Sequence, residues 1–122
     1  MKKITSYRDM QVWQESRILA AQIYKITAQF PPSEQFGITN QMRRAAVSVP
    51  SNIAEGFGRA NAKEKSHFYY ISKGSLAELE TQSYIAFDVG YIDEKVLERI
   101  MQQSSLAHRL LQGLIRANKE RL

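Results

Sequence analysis

Residues 38–57 read ITNQMRRAAVSVPSNIAEGF, and this stretch decides the fold. Its apolar side chains recur at intervals of three and four residues, the spacing that places them on one face of an α-helix. Pro50 interrupts the stretch, because it lacks a backbone N–H and its ring crowds the carbonyl of Ala46. We therefore expect a helix over residues 38–58 that is kinked or broken near Pro50. The apolar stripe of this helix consists of Ile38, Met42, Ala46, Val49, Ile53 and Phe57.

The segments on either side of this stretch predict three more helices. They carry the same helical period of apolar residues, and no alternating run of β-branched residues predicts a strand. Gly90 is expected to end the third helix in a left-handed conformation. Because the connections are short, consecutive helices should run antiparallel, so residues 1–122 are predicted to form one all-α domain, an antiparallel up-down-up-down four-helix bundle. The predicted helices span about residues 7–30, 38–58, 61–89 and 93–118.

The composition narrows the class of protein. The 122 residues include 17 Lys and Arg, 12 Asp and Glu and no Cys, which gives a formal net charge of +5. The absence of Cys excludes disulfides, thiolate metal sites and a cysteine nucleophile. No apolar run approaches the roughly 18 residues that a membrane span needs, and the basic N-terminus from Met1 to Ser6 lacks the apolar region of a signal peptide. We therefore expect a soluble protein of the cytoplasm that has no membrane partner.

The second and third helices carry more apolar surface than one four-helix bundle can bury. Val47 and Ala54 widen the stripe of the second helix to about half of its circumference. On the third helix, Ile71 and Ile85 lie about 80° or more from the main stripe, and Tyr70 points away from it. These five residues predict an interface between copies of the chain. The alternative is that they lie on a surface that tolerates apolar side chains.

Glu64 and His67 form an E-x-x-H unit, the spacing that di-iron helical bundles use for metal ligands. Such a site needs a second unit and two further glutamates on facing helices. The other histidine, His108, has Ser105 at the corresponding position, so the second unit is absent from the sequence. We expect no metal and no other cofactor.

A polar stripe on the second helix contains Asn52 and Glu55, and Glu78 lies among apolar residues of the third helix. A carboxylate in apolar surroundings must find a donor or become protonated, and Arg43 or Arg44 is the expected partner. One hypothesis is a catalytic carboxylate with a shifted pKa. The hypothesis that we favour is a polar network that sets helix register, because no nucleophile, base or metal completes a site. The chain is accordingly not expected to be an enzyme.

Positive charge is concentrated in the first half of the chain. Residues 1–60 hold 8 basic and 4 acidic side chains, whereas residues 61–122 hold 9 and 8. Basic side chains interspersed with aromatic ones bind phosphates and stack on bases, so RNA or DNA is a candidate partner. The alternatives are a solvated helix face and a scaffold module that binds another protein. The candidate phosphate contacts are Arg43, Arg44, Arg59, Lys63 and Lys65.

The longest specific pattern is QMRRAAVSVPSNIAEGFGR at residues 41–59. With several shorter segments, it resembles the four-helix bundle proteins of the 23S rRNA intervening-sequence type, once labelled S23 ribosomal proteins. The resemblance extends from about Tyr7 to Ile115, and Ser83 and Tyr84 depart from it because more aliphatic residues are expected there. The shorter segments are VWQ at residues 12–14, IYK at 23–25, FP at 30–31, GSLAELE at 74–80 and GYI at 90–92.

The resemblance implies a bacterial, cytoplasmic protein without enzymatic activity, whose relatives are ring-shaped homopentamers. A related accessory protein of diversity-generating retroelements is a basic pentamer that binds nucleic acid and a reverse transcriptase. The family has no catalytic residues to carry over to this chain. The resemblance therefore favours a homo-oligomer, expected to be a pentamer, that binds RNA or DNA through a basic face.

Overall fold

A computed structural model describes residues 3–122, so Met1 and Lys2 of the basic N-terminus lie outside the described residues. Four long helices account for most of the described chain, and none of its residues is in a strand. Two single 3-10 turns, at Tyr7–Asp9 and Pro32–Glu34, precede the first and second long helices. This confirms the predicted all-α fold. The long helices are α1 at Gln11–Thr27, α2 at Ile38–Phe57, α3 at Ala62–Asp88 and α4 at Glu94–Lys119.

The four helices form a bundle in which each one packs against the helices before and after it, and α1 also packs against α4. The contacts between α2 and α3 show that these two helices are antiparallel, because later residues of α3 meet earlier residues of α2. Lys65, near the start of α3, reaches the carbonyl of Phe57 at the end of α2, whereas Ser75 further along α3 bonds to Ser48. The short turns between the helices fit the same antiparallel arrangement throughout the bundle. None of the helices in residues 3–122 is long and apolar enough to cross a membrane.

The first long helix begins later than the sequence predicts. Ser6 and Asp9 form the expected capping box, but it caps a 3-10 turn rather than α1. Met10 then adopts an extended conformation (φ −82°, ψ 127°) and buries its side chain, so α1 begins only at the next residue. At the other end Phe30 lies beyond α1, yet its side chain is buried as expected. α1 is therefore shorter than predicted at both ends, while the side chains of both flanking residues still join the core.

The second helix continues through Pro50 without a break, so a break at this proline, one of the two expected outcomes, is wrong. A row of small polar residues on α3 faces the same part of α2. The buried Ser72 hydroxyl donates to the carbonyl of Val49 at 2.8 Å, and the Ser75 hydroxyl lies 2.8 Å from that of Ser48. These cross-helix bonds satisfy polar groups next to the position where proline removes a backbone donor.

The predicted apolar stripes form the core. In α2, Met42, Val49 and Ile53 are fully buried, and the stripes of α1, α3 and α4 meet them from the other sides. Burial of side chains of this size contributes roughly 1.5–3 kcal/mol each to folding. The largest fully buried side chains are Leu19, Ile23, Met42, Val49, Ile53, Leu76, Leu79, Ile100 and Leu111.

The end of α3 has the expected left-handed glycine. Gly90 has a φ of 85°, a value that side chains with a Cβ rarely adopt. The N–H of Tyr91 donates to the carbonyl of Ala86 at 2.8 Å, and that of Gly90 donates to Phe87 at 3.0 Å, the pair of bonds that ends many helices. The Tyr91 hydroxyl then donates to Glu34 at 2.7 Å, which ties this turn to the connection between α1 and α2.

Gly56 permits the closest approach of α3 to α2. A Cβ added to Gly56 would lie 2.6 Å from Cε1 and 3.0 Å from Cδ1 of Tyr69, whose ring is buried. Gly113, in α4, offers a contrast because a Cβ added there would meet nothing within 4 Å. A side chain larger than hydrogen at position 56 must therefore displace the Tyr69 ring.

We expect Gly56→Ala to lower the free energy of unfolding by about 1–2 kcal/mol, because overpacking outweighs the better helix propensity of alanine. The matched control Gly113→Ala should raise it by about 0.5–1 kcal/mol, since only the helix propensity changes there. Urea denaturation followed by circular dichroism measures both. A Gly56→Ala protein as stable as the Gly113→Ala protein would contradict the close packing of Tyr69 on α2.

Candidate functional site

The candidate phosphate contacts do not form one patch. Arg43 is turned towards α1, where its Nε donates to the Thr27 hydroxyl at 2.8 Å and its Nη2 donates to the Tyr24 carbonyl at 3.3 Å. Its guanidinium also lies 4.6 Å from the centre of the Tyr24 ring. Arg44, the next residue, is exposed. The two arginines that look equivalent in sequence therefore differ, because Arg43 holds α1 and α2 together.

Arg59 and Lys63 lie together at the turn between α2 and α3. They line an open depression of about 490 Å³ that also contains Glu64, His67 and Phe68. The Arg59 guanidinium stacks 4.5 Å from the Phe68 ring centre and pairs with Glu55 at 3.4 Å, an exposed pair that contributes little to stability. No group of three or more His, Asp or Glu in residues 3–122 is arranged to hold a metal ion.

Lys65 points into the bundle rather than into solvent. Its Nζ donates to the carbonyl of Phe57 at 2.6 Å and to that of Gly56 at 3.4 Å. These are carbonyls of the last turn of α2, where a cation also interacts favourably with the helix dipole. The ammonium group thus caps α2, which distinguishes Lys65 from the exposed candidates.

A basic groove that the sequence did not reveal lies between α3 and α4. Its volume is about 320 Å³, and Tyr70 lies among Lys73, Arg116 and Lys119. The ammonium groups of Lys73 and Lys119 lie 5.9 and 5.8 Å from the centre of the Tyr70 ring. Arg116 and Lys119 are far from Tyr70 in sequence, so only the antiparallel packing of α4 on α3 brings them together. We call these four residues the Tyr70 groove.

Charge is distributed unequally between the two ends of the bundle. One end, the basic end, combines the start of the described chain, the turn between α2 and α3 and the last turns of α4. The amide of Asn118 in α4 donates to the carbonyl of Ala62 at the start of α3 at 2.9 Å, which holds these segments together. The opposite, acidic end combines the connection before α2 with the turn between α3 and α4. The basic end holds Lys3, Arg8, Arg59, Lys63, Lys65, Arg116, Lys119 and Arg121 against Asp9, Glu55, Glu64 and Glu120. The acidic end holds Glu34, Asp88, Asp93, Glu94 and Glu98 against Lys25, Arg43, Lys95 and Arg99.

The three residues of the predicted polar network are not brought together within one chain. The Asn52 amide donates to the carbonyl of Ser48 at 2.8 Å and to its hydroxyl at 3.0 Å. Glu55 pairs with Arg59, whereas Glu78 is exposed and accepts a bond from Gln82 at 3.3 Å. The expected pairing of Glu78 with Arg43 or Arg44 is not formed, because Arg43 faces α1. Glu78 is in contact with solvent and needs no buried donor.

The five predicted interface residues lie on three different sides of the bundle. Val47 and Ala54 lie on the side of α2 that faces α1, next to Arg43, and Val47 is 41% exposed. Ile71 and Ile85 lie on the side of α3 that faces α2 and are 39% and 47% exposed. We call these the α1–α2 face and the α2–α3 face. Tyr70 belongs to neither, because it lies in the groove between α3 and α4.

Comparison with known proteins gives a family and a fold. The sequence model of the family described as 23S rRNA-intervening sequence protein matches residues 8–113. A crystal structure of a protein of unknown function from the S23 ribosomal protein family of Bacteroides thetaiotaomicron has the same fold, with a TM-score of 0.77 and 22% sequence identity. The match covers 85% of this chain and 97% of that chain. No curated protein matches this sequence.

The different environments of the adjacent arginines generate a prediction. Arg43→Ala should lower the free energy of unfolding by about 1–2 kcal/mol, because it removes a charged hydrogen bond to the buried Thr27 and the stacking on Tyr24. Arg44→Ala should change it by less than about 0.5 kcal/mol. Chemical denaturation of the two variants side by side measures the difference, and equal stabilities would show that the contacts of Arg43 with α1 do not contribute.

Proposed function

Because the chain belongs to the family of 23S rRNA-intervening sequence proteins, we propose that it forms a homo-oligomeric ring, expected to be a pentamer, that binds RNA or DNA through its basic surfaces. The ring catalyses no reaction in this proposal, and it acts in the cytoplasm. The observation that carries the proposal is the segregation of charge between the two ends of the bundle, because a polyanion is attracted to a concentrated positive potential.

Two unlike apolar faces support the ring. The α1–α2 face presents Val47 and Ala54, and the α2–α3 face presents Ile71 and Ile85. A two-fold dimer buries the same patch on both copies, whereas contact between two different faces continues from copy to copy and closes into a ring. Burial of both faces in every copy therefore requires a head-to-tail arrangement.

The angle between the two faces limits the number of copies. The outward normals of the two contact faces differ by about 90° in a ring of four copies and by about 108° in a ring of five. In a four-sided bundle the α1–α2 and α2–α3 faces are adjacent sides, which meet at about a right angle. A small ring of about four to six copies fits this geometry, and the expected pentamer lies within that range.

The shared helix determines what the ring would display. Since both contact faces include α2, this helix lies towards the ring axis and α4 lies towards the outside. The exposed Arg44 then faces the central channel, and the Tyr70 groove remains on the outer surface. Rotation about an axis along the helices also brings the basic ends of all copies to one rim. The ring thus multiplies a modest charge per chain into a continuous basic surface.

The Tyr70 groove and the rim fit single-stranded nucleic acid. Cations in the groove can neutralise phosphates. The Tyr70 side chain is 41% exposed, so its ring offers a surface on which a base can stack. Arg59 and Lys63 add phosphate contacts at the turn between α2 and α3. In this proposal Arg43 and Lys65 serve the fold, so Arg44, Arg59 and Lys63 are the initial candidates that contact the ligand.

The second candidate function is a scaffold that binds another protein. Phe36 favours it, because this side chain is 88% exposed at the acidic end, away from both apolar faces of α2 and α3. The two functions predict different complexes in a cell extract. A partner that remains bound after nuclease treatment and is lost with Phe36→Ser supports the scaffold, and a partner lost on nuclease treatment supports the nucleic-acid function.

The head-to-tail ring makes a prediction that a two-fold dimer does not. Ile85→Glu and Val47→Glu should each yield monomers, because each variant keeps one intact face and loses the other. When the two variants are mixed, the intact face of one meets the intact face of the other, so heterodimers should form. Sedimentation velocity at micromolar concentration measures both states.

Gln102→Glu, an equal charge change at an exposed site on α4, is the control and should leave the wild-type mass unchanged. Wild-type mass in either interface variant would contradict the assigned faces. Self-association of Ile85→Glu alone into dimers would show that the contact joins like faces instead.

Nucleic-acid binding is tested with a fluorescent 20-residue single-stranded oligonucleotide over a range of salt concentrations. The logarithm of the association constant should fall linearly with the logarithm of the salt concentration. The double variant Arg116→Gln/Lys119→Gln should reduce this slope by about 1–1.5, since each lost phosphate contact on a single strand removes about 0.7. Tyr70→Leu should weaken binding at least about fivefold and leave the slope unchanged, because stacking is uncharged.

The matched control is Lys95→Gln/Arg99→Gln, which removes two charges of the same helix at the acidic end. It should leave the slope unchanged within about 0.3. Equal loss in both double variants would show that only net charge matters. No binding at low salt by an assembled wild-type ring would exclude the nucleic-acid function.

A further inference from the structure

An open cavity of about 300 Å³ lies at the basic end of each chain, lined by the start of the described chain, the end of α2, α3 and the last turns of α4. Its walls include the apolar side chains of Ile4, Met10, Phe57 and Leu114. This volume is at the lower end of the range for small-molecule sites, which are mostly apolar with a few converging polar groups. The cavity is distinct from the Tyr70 groove and from both apolar faces.

One tyrosine hydroxyl at this cavity has no hydrogen-bond partner among residues 3–122. Tyr69 is only 3% exposed, it lines the cavity, and its hydroxyl forms no hydrogen bond with any part of residues 3–122. The hydroxyl of a buried tyrosine ring usually has a hydrogen-bond partner, and this one reaches the open cavity instead of a protein acceptor. A ligand in the cavity would supply the missing bond.

Two cationic side chains line the cavity together with this hydroxyl. Arg121 and Lys65 both line the cavity, and the amide of Asn118, which is 6% exposed, lies beside them. Burial raises the pKa of Tyr69, and the positive charge of Arg121 opposes that rise. Tyr69 is therefore protonated at neutral pH and available as a donor. A donor hydroxyl close to the Arg121 guanidinium is an arrangement that suits an anionic head group.

We propose that this cavity binds a small amphipathic anion, with its apolar body against Met10 and Leu114 and its carboxylate or phosphate head between Tyr69 and Arg121. A ligand with an apolar body should bind more tightly than a bare inorganic anion, because the inorganic anion would leave the apolar walls of the cavity in contact with water. The inference does not depend on the proposed function, since all of the lining residues belong to one chain.

Octanoate is the probe. Methyl NMR of Ile4, Met10 and Leu114 in the full chain should show saturable shifts with one octanoate per chain. Octanol should bind at least about tenfold more weakly, because it cannot use the cations. Octyl phosphate should bind at least as well as octanoate if the site prefers phosphate, and inorganic phosphate alone should leave the three methyl signals unshifted.

Four variants separate the site from non-specific binding. Tyr69→Phe should weaken octanoate binding about threefold or more, and Arg121→Gln about fivefold or more, because each removes one head-group contact. Ala117→Phe should abolish binding, since it fills the cavity from its exposed edge. Arg109→Gln, a charge change elsewhere on α4, should have no effect.

Three results would overturn the proposal: no methyl shifts up to 10 mM octanoate, equal affinity for octanol, or unchanged binding in Ala117→Phe. Ile85→Glu, the variant expected to be monomeric, should bind octanoate with wild-type affinity. Failure of the ring and failure of this cavity would therefore be recognised separately.

Discussion

The close contact between α2 and α3 is the constraint on which the rest of the structure depends. Gly56 lets the Tyr69 ring lie against α2, and serine hydroxyls of α3 bond to the two residues of α2 just before Pro50. Small side chains let the two backbones approach closely, and the hydroxyls bond to polar groups of α2 next to the proline. This register places Lys65 over the end of α2 and Tyr69 in the cavity, and it turns Ile71 and Ile85 outwards. The same contact thus creates both the open cavity and an apolar face that a single chain cannot cover.

The antiparallel fold also explains the polarity of charge. Basic side chains from the start, middle and end of the chain meet at one end because the helices reverse direction at each turn. Counting charges along the sequence does not reveal this grouping of basic side chains, since the two halves of the sequence do not correspond to the two ends of the bundle. The functional consequence is that a modest net charge of +5 becomes a local concentration of cations. Assembly with a common helix direction would repeat that concentration around one rim.

The core and the order of elements were predictable from sequence, because helical period is a local property. Met42, Val49 and Ile53 are buried as their spacing predicts, and Gly90 ends α3 as expected. The candidate site was predictable only in part, because a side chain's role depends on what packs against it. The sequence does not distinguish Arg43 from Arg44, and it predicts that Glu78 pairs with one of them, although the structure leaves Glu78 exposed. The Tyr70 groove joins residues of α3 and α4 that no local pattern connects.

The central claim is that two unlike apolar faces around α2 bury each other between copies. Sedimentation equilibrium of the wild-type chain at low micromolar concentration tests it most directly, because it gives mass without assumptions about shape. The proposed ring should give a single species of about 70 kDa, five copies of the 14.0 kDa chain, or the mass of a neighbouring small ring. A single 14.0 kDa species at that concentration would contradict it, since Ile85 and Val47 would then remain in contact with water.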